Sequence, residues 1–257
     1  MGQKILEARD ITLRFGGLEA LNGLSFSVDP CQVVSIIGPN GAGKTTLLNT
    51  ITGVYPLDSG EIFFRGSSIS RLKTHQIAAL GVHRTFQQSQ LFHDLTVLEN
   101  VMVGMHAKAR SGFWGGILHF PRERREEKEI RKKAESWLDF LGLGPKAFQP
   151  ASQIPIADQR RLEIARAMAG DPEIILLDEP VAGLNIRETE AMGDLILRLK
   201  REGQTIVLVE HNMHLVMGIS DRLVVLHHGS KIGEGRPEET ARASYRFREA
   251  NLASTPC

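Results

Sequence analysis

Two short stretches of this chain carry residue types at spacings that can do chemistry. The first is Gly38, Pro39, Asn40, Gly41, Ala42, Gly43, Lys44, Thr45 and Thr46, which fits the phosphate-loop pattern G-x-x-x-x-G-K-[ST]. Such a loop lets backbone N–H groups and a helix N-terminus converge on phosphate oxygens. Lys44 would reach the terminal phosphates and the Thr45 hydroxyl would hold Mg²⁺. The second stretch is Ile174-Ile175-Leu176-Leu177-Asp178-Glu179-Pro180. Four apolar residues bury a strand there, and its end presents two carboxylates. Asp178 suits coordination of Mg²⁺ through water, and Glu179 suits a general base that polarises an attacking water. Two acids ending a strand would be unremarkable alone; beside a phosphate loop they read as the other half of a nucleoside-triphosphate site.

The elements that must position these groups are legible around them. The β-branched run at 33–37 reads as a buried strand leading into the glycine loop, and 44–52 reads as a helix stopped at Gly53. Alternating patterns at 4–14 and 24–28, and a further strand at 61–65, make the N-terminal third strand-rich. Phe15 stands just ahead of a Gly16-Gly17 turn. A short helix at 74–80 precedes a strand at 82–86. From 96 to about 148 the periodicity is helical, with a charged amphipathic segment at 122–141. Ahead of it, 111–120 is rich in Gly, Trp and Phe and reads as either a partner-facing surface or a packed loop. The last third alternates: strand 173–178, helix 187–201, strand 205–210, helix 213–219, then a hairpin of 222–227 and 230–234 turned at Gly229. Helices between apolar strands predict an α/β fold with a mainly parallel sheet covered on both faces.

Composition narrows the class. The 257 residues suffice for one large α/β domain, and 31 basic against 30 acidic residues leave a formal net charge of +1, with no electrostatic footprint for nucleic acid. Cys31 and Cys257 form neither a disulfide framework nor a metal spacing, which fits a reducing compartment. The start of the chain has no signal-peptide pattern, and no apolar run approaches the roughly 20 residues that span a bilayer. A membrane role is expected to come through a partner.

Taken together, these residues resemble the ATP-binding cassette (ABC) family over essentially the whole chain. By that resemblance Phe15 stacks on adenine, and Gln87, in Arg84-Thr85-Phe86-Gln87, contacts Mg²⁺ and joins two subdomains. Glu179 through Asn185 supplies the catalytic carboxylate and a dimer-contact loop, and His211 is the switch histidine that contacts the γ-phosphate. The finer resemblance is to the longer of the two paralogous ATPase subunits of branched-chain amino acid importers. It rests on Arg84 to Gln87, Leu95-Thr96-Val97-Leu98-Glu99-Asn100-Val101, the charged insert, Gln159-Arg160-Arg161-Leu162-Glu163-Ile164-Ala165-Arg166 and Ala182-Gly183-Leu184-Asn185. The resemblance implies a P-loop NTPase with a RecA-like core, an N-terminal antiparallel β subdomain and an inserted helical subdomain at about 88–170. These would make one cassette over 4–249, followed by a tail at 250–257.

The chain departs from the family at the signature, roughly Leu-Ser-Gly-Gly-Gln or Leu-Ser-Tyr-Gly-Gln, where it carries Ile154-Pro155-Ile156-Ala157-Asp158. The serine hydroxyl is lost, and Asp158 either faces phosphate or caps the helix that follows. The implied activity is hydrolysis of ATP with Mg²⁺, driving amino-acid import at the cytoplasmic face of the cell membrane. The implied partners are permease subunits, a second cassette subunit in a heterodimer and, indirectly, a periplasmic or extracellular solute-binding protein. The rival readings are a urea-import or lipid-export ATPase, a soluble cassette of translation or DNA repair, and an ATP-binding subunit with little hydrolysis of its own. The soluble class usually carries two cassettes or a long coiled coil, and this chain has neither.

Overall fold

The structure, a computed structural model, describes residues 4–85, 91–105 and 121–240, and the side chains of 121–126 are not among what it describes. The segment 111–120, Gln87 and the tail at 250–257 therefore lie outside the described residues.

Two sheets carry the fold. The first is antiparallel, in the order β2-β1-β4-β5, from β1 (Leu6–Phe15), β2 (Leu18–Val28), β4 (Ser59–Phe64) and β5 (Ser67–Ser68). The predicted strand at 24–28 is the end of a longer one, because β2 begins at Leu18 straight after the Gly16-Gly17 turn. Its first half is mostly exposed and its register against β1 shifts repeatedly, so no clean alternation marks it.

The second sheet has the order β10-β9-β3-β8-β7-β6. Its strands β3 (Val33–Ile37), β6 (Val82–Arg84), β7 (Ile174–Asp178), β8 (Thr205–Val209) and β9 (Arg222–His227) pair in parallel. Only β10 (Ser230–Gly235), the second arm of the predicted hairpin, is antiparallel. Every residue of β3, β7 and β8 is buried, which is why these strands read as unbroken apolar runs. Alternate side chains serve two different cores. Ile175, Leu177, Ile206 and Leu208 face a helical core. Val34, Ile36, Leu176, Val207 and Val209 face the antiparallel sheet.

The helical core is built by α3 (Val97–Met105), α4 (Pro121–Phe140), α5 (Ile156–Ala169) and α6 (Ile186–Arg201). The helix α6 shows how sequence writes such an element. Asn185 accepts from the Glu188 N–H while Glu188 caps Asn185 in return, a reciprocal capping box. Met192, Leu195, Ile196 and Leu199 are buried at helical spacing. Arg198, Lys200 and Arg201 fill the last turn, where cations suit the helix dipole, and Gly203 follows at φ 89°. Burying each of those apolar side chains contributes about 1.5–3 kcal/mol. On the other face, α1 (Lys44–Ile51) packs Leu47, Leu48 and Ile51 into the sheet-side core, close to α2 (Thr74–Ala79). A further short helix, α7 (Met213–Ile219), follows β8. No helix among the described residues is long and apolar enough to cross a membrane.

Candidate functional site

The glycine loop connects β3 to α1 as its pattern demands. Gly43 is the N-cap of α1 at φ 97°, and a Cβ there would lie 2.5 Å from the Ala20 carbonyl oxygen. At Gly38 a Cβ would lie 2.3 Å from the Leu226 carbonyl oxygen. Glycine is thus required at both places by close approach to backbone. Among the described residues no side chain caps α1, and its first turn holds no acidic residue. Its leading N–H groups and positive dipole end are accordingly available to an anion. Lys44 Nζ donates to the carbonyls of Gly38 (2.8 Å) and Pro39 (2.9 Å), folding the lysine over the loop. Desolvation lowers the Lys44 pKa, partly opposed by the carboxylates of Glu179 and Asp178. The loop and the acidic strand end, separated by more than 130 residues of sequence, therefore meet electrostatically.

Asp178 closes β7 with a side chain that is fully buried. Its Oδ2 accepts from Arg84 Nη2 at 2.7 Å, and Arg84 Nη1 donates to Asn49 Oδ1 on α1. Its Oδ1 is buried with no hydrogen-bond partner among the described residues. Desolvation raises the Asp178 pKa, opposed by Arg84. One oxygen fixed by a guanidinium and one buried without a donor is a fitting arrangement for a hard divalent cation, which takes oxygen ligands and often binds through water. The carboxylate present thus fits Mg²⁺, which Asp178 would hold together with the Thr45 expected from the loop pattern; bound there, it would neutralise charge developing on phosphate oxygens.

Glu179 follows at φ 49°, a left-handed conformation uncommon for a residue with a side chain. Its N–H donates to the Val209 carbonyl at 2.9 Å. Its Oε1 lies 3.8 Å from His211 Nδ1, and the His211 side chain is 63% exposed. The predicted base and the predicted switch histidine thus come together from the ends of β7 and β8, with the histidine ring accessible. Asn212 then caps α7 by accepting from the Leu215 N–H.

Phe15 sits at the end of β1, 47% exposed, and packs edge-on against Tyr55 with ring centroids 5.2 Å apart. An aromatic face held upright in solvent is suited to stacking on a planar base. Sequence reasoning passed over Tyr55, and gave Arg84 and Glu210 no role of their own. The only available signal was their nearness to motif residues.

At the departed signature, Asp158 neither reaches outward nor caps α5. The N-cap is Pro155, which provides no side-chain hydrogen bond, while Asp158 is buried in the first turn. Its Oδ2 accepts from Lys146 Nζ, and its Oδ1 lies 3.5 Å from Arg161 Nη1. Ile156 remains 47% exposed at the tip, and a Cβ added to Gly183 in the loop after β7 would lie 3.5 Å from its Cδ1.

Residues 21–182 match the family model described as "ABC transporter". Over 240 residues the chain is 45% identical to the high-affinity branched-chain amino acid transport ATP-binding protein LivG of Escherichia coli (strain K12), covering 93% of this chain and 94% of that one. Among solved structures it superposes with TM-score 0.81 and 34% identity on the ADP conformation of an ATP-binding cassette of an ABC transporter, covering 92% of both chains. It also superposes with TM-score 0.76 and 27% identity on a dimeric, post-hydrolysis ATP-binding cassette bound to ADP and Pi, covering 90% of this chain and 98% of that one.

Proposed function

The chain belongs to the ABC transporter family of ATP-binding cassette ATPases, and we propose that it is the ATP-hydrolysing subunit of an importer of branched-chain amino acids. The observation that carries the substrate class is the 45% identity, across nearly the full length of both chains, to a relative named for branched-chain amino acid transport. In this reading residues 4–249 form one cassette, with a helical subdomain at about 88–170. It works at the cytoplasmic face of the cell membrane beside permease subunits, which a solute-binding protein supplies from outside. ATP lies on the glycine loop, with Phe15 on the adenine and Lys44 on the terminal phosphates. Thr45, Asp178 and Gln87 hold Mg²⁺. Glu179 takes the proton of the attacking water, and His211, near enough to sense Glu179, contacts the phosphate that is cleaved.

A second feature favours a heterodimer with a second cassette subunit. The segment Ile154 to Asp158 has no hydroxyl, Pro155 has no N–H, and the Asp158 carboxylate is tied to Lys146. A composite site that relied on this segment for phosphate donors would be slow, because each lost transition-state donor costs about 3–4 kcal/mol. Two such sites would idle an otherwise intact set of Lys44, Asp178, Glu179 and His211. Paired with a shorter paralogue, this chain's glycine loop faces the partner's signature and forms the active site. The same feature is the ground for the alternative, an ATP-binding subunit with little hydrolysis.

Both parts are tested by co-expressing the chain with whatever permease, cassette and binding-protein genes neighbour its own and reconstituting the complex in liposomes. Uptake of radiolabelled leucine is expected with ATP inside, and transport of urea or lipid instead would replace the substrate assignment. Lys44→Ala should abolish coupled hydrolysis, while the matching lysine change in the partner should leave much of it. Equal loss from the two changes, or vigorous hydrolysis by this chain alone as a homodimer, would overturn the asymmetric pairing.

A further inference from the structure

Glu210 is the residue between the last strand position of β8 and His211, and none of its surface reaches solvent. A carboxylate in such a place is costly, and burial raises its pKa above the ordinary glutamate value. It is held there by three backbone donors. Its Oε1 accepts from the Val181 N–H at 3.2 Å, and its Oε2 accepts from the N–H groups of His211 at 3.0 Å and Asn212 at 3.3 Å. The two oxygens therefore grip two different turns. One is the turn that begins at Glu179, in which the Ala182 N–H donates to the Glu179 carbonyl. The other is the turn that presents His211.

Around Glu179 the backbone is left-handed, a conformation that persists only when its surroundings impose it. Two of the surroundings come from adjacent residues of β8 and its end: the Val209 carbonyl takes the Glu179 N–H, and Glu210 takes the Val181 N–H two residues on. The same carboxylate fixes the first two N–H groups of the His211 turn. A buried acid whose only role was to satisfy one strand end would need one turn, and a Ser, Thr or Asn could do it at less desolvation cost. Reaching both turns requires two acceptor oxygens on a side chain of this length.

We infer that Glu210 is a positioning residue for hydrolysis, a carboxylate clamp that sets the Glu179 carboxylate and the His211 ring in register by holding their two turns together. The inference rests on the assignment of Glu179 as the base. An amide in place of the carboxylate keeps the shape but has one acceptor and one NH₂ group. Either the Val181 N–H or the His211 and Asn212 pair would then face a donor, and one turn must move. Displacement of a reacting group by about 1 Å can cost 10²-fold in rate.

The test is steady-state ATP hydrolysis by the full chain in its assembled complex, with ATP affinity measured separately by displacement of a fluorescent analogue. Glu210→Gln is expected to lower kcat about 10- to 100-fold while the ATP affinity stays within about twofold, the pattern of a group acting only in the reaction step. Combined with His211→Ala, it should lower the rate little beyond His211→Ala alone, since two members of one unit do not add. Glu210→Asp, measured alongside, keeps the charge and both oxygens but withdraws them by one bond, about 1.5 Å. It should show the same loss of kcat, and it serves if the glutamine variant does not fold. Wild-type kcat in a folded variant, a loss of affinity in place of rate, or full multiplicativity with His211→Ala would each overturn the clamp. Glu179→Gln is run beside them: if it hydrolyses ATP normally the base assignment itself is wrong, whereas an inactive Glu179→Gln with an active Glu210→Gln refutes the clamp alone.

Discussion

Replacing Arg84 by Met should unfold this protein more readily than any single change to a surface ion pair. Arg84 and Asp178 are joined at 2.7 Å with side chains only 5% and 0% exposed. Removing one member of a buried pair leaves the other charge uncompensated, at a cost of about 3–5 kcal/mol. Against a total stability of roughly 5–15 kcal/mol, that is a large fraction. At about 2–4 °C per kcal/mol for a chain of this size, Tm should fall by about 6–20 °C. The loss has a definite pH dependence. The Asp178 pKa is already raised by desolvation and held down by Arg84, so removing Arg84 raises it further above the ordinary value of 3.8. A raised carboxyl pKa contributes stability below the unfolded value and loses it as pH rises through the folded one. The deficit of Arg84→Met should therefore be smallest below pH 3.8 and grow toward neutrality. Thermal unfolding followed by circular dichroism across that range, without nucleotide, measures it. Asp178→Asn combined with Arg84→Met should recover much of the loss, because no bare charge is then left buried. A deficit under about 1 kcal/mol, a deficit that does not change with pH, or additivity in the double variant would refute the buried-pair reasoning.

Glu179→Gln should keep ATP affinity and lower turnover by about 10²-fold or more, as expected for a lost general base, in phosphate-release and nucleotide-displacement assays run on one preparation. Phe15→Ala should weaken ATP binding roughly tenfold, the effect of losing a base-stacking platform worth about 1–3 kcal/mol, with the saturated rate intact; a fall in that rate at unchanged affinity would make Phe15 a packing residue of the Tyr55 pair instead.

Much of the fold could be read because its central strands are buried on both faces. Ile174 to Leu177 and Ile206 to Val209 must be apolar at every position, alternate residues feeding separate cores, so a run of that length has one simple meaning. The start of β2 could not be read for the opposite reason, being an exposed and irregular ribbon that imposes little pattern. The site divides along similar lines. Groups proposed to touch phosphate are constrained by loop geometry and fall in a short local motif. The groups that hold them are chosen by contacts across the chain: Arg84 meets Asp178 from 94 positions away, and Glu210 meets Val181 from 29. Nothing local distinguishes such an arginine or glutamate from any other at a strand end.

The departed signature shows the same limit from the other side, since sequence left two places for Asp158 and the fold uses neither. Comparison with α1 explains what the chain has done there. Both α1 and α5 begin without a side-chain cap. At α1 the N-cap is glycine and the first turn holds no acid, so the leading N–H groups and positive dipole end have no carboxylate on their own helix, and the acids that act on Lys44, Glu179 and Asp178, come from the end of β7. At α5 the lead-in is Pro155, which has no N–H to offer, and the first turn holds Asp158. That carboxylate sits where a helix favours negative charge, and Lys146 and Arg161 balance it from within. The end of α5 is therefore electrostatically satisfied within its own first turn, whereas the end of α1 has no acid there and leaves its leading N–H groups suited to an anion. A single sequence thus holds one helix end suited to an anion and one already provided for, and this difference is the physical ground for the asymmetric pairing proposed with a second cassette.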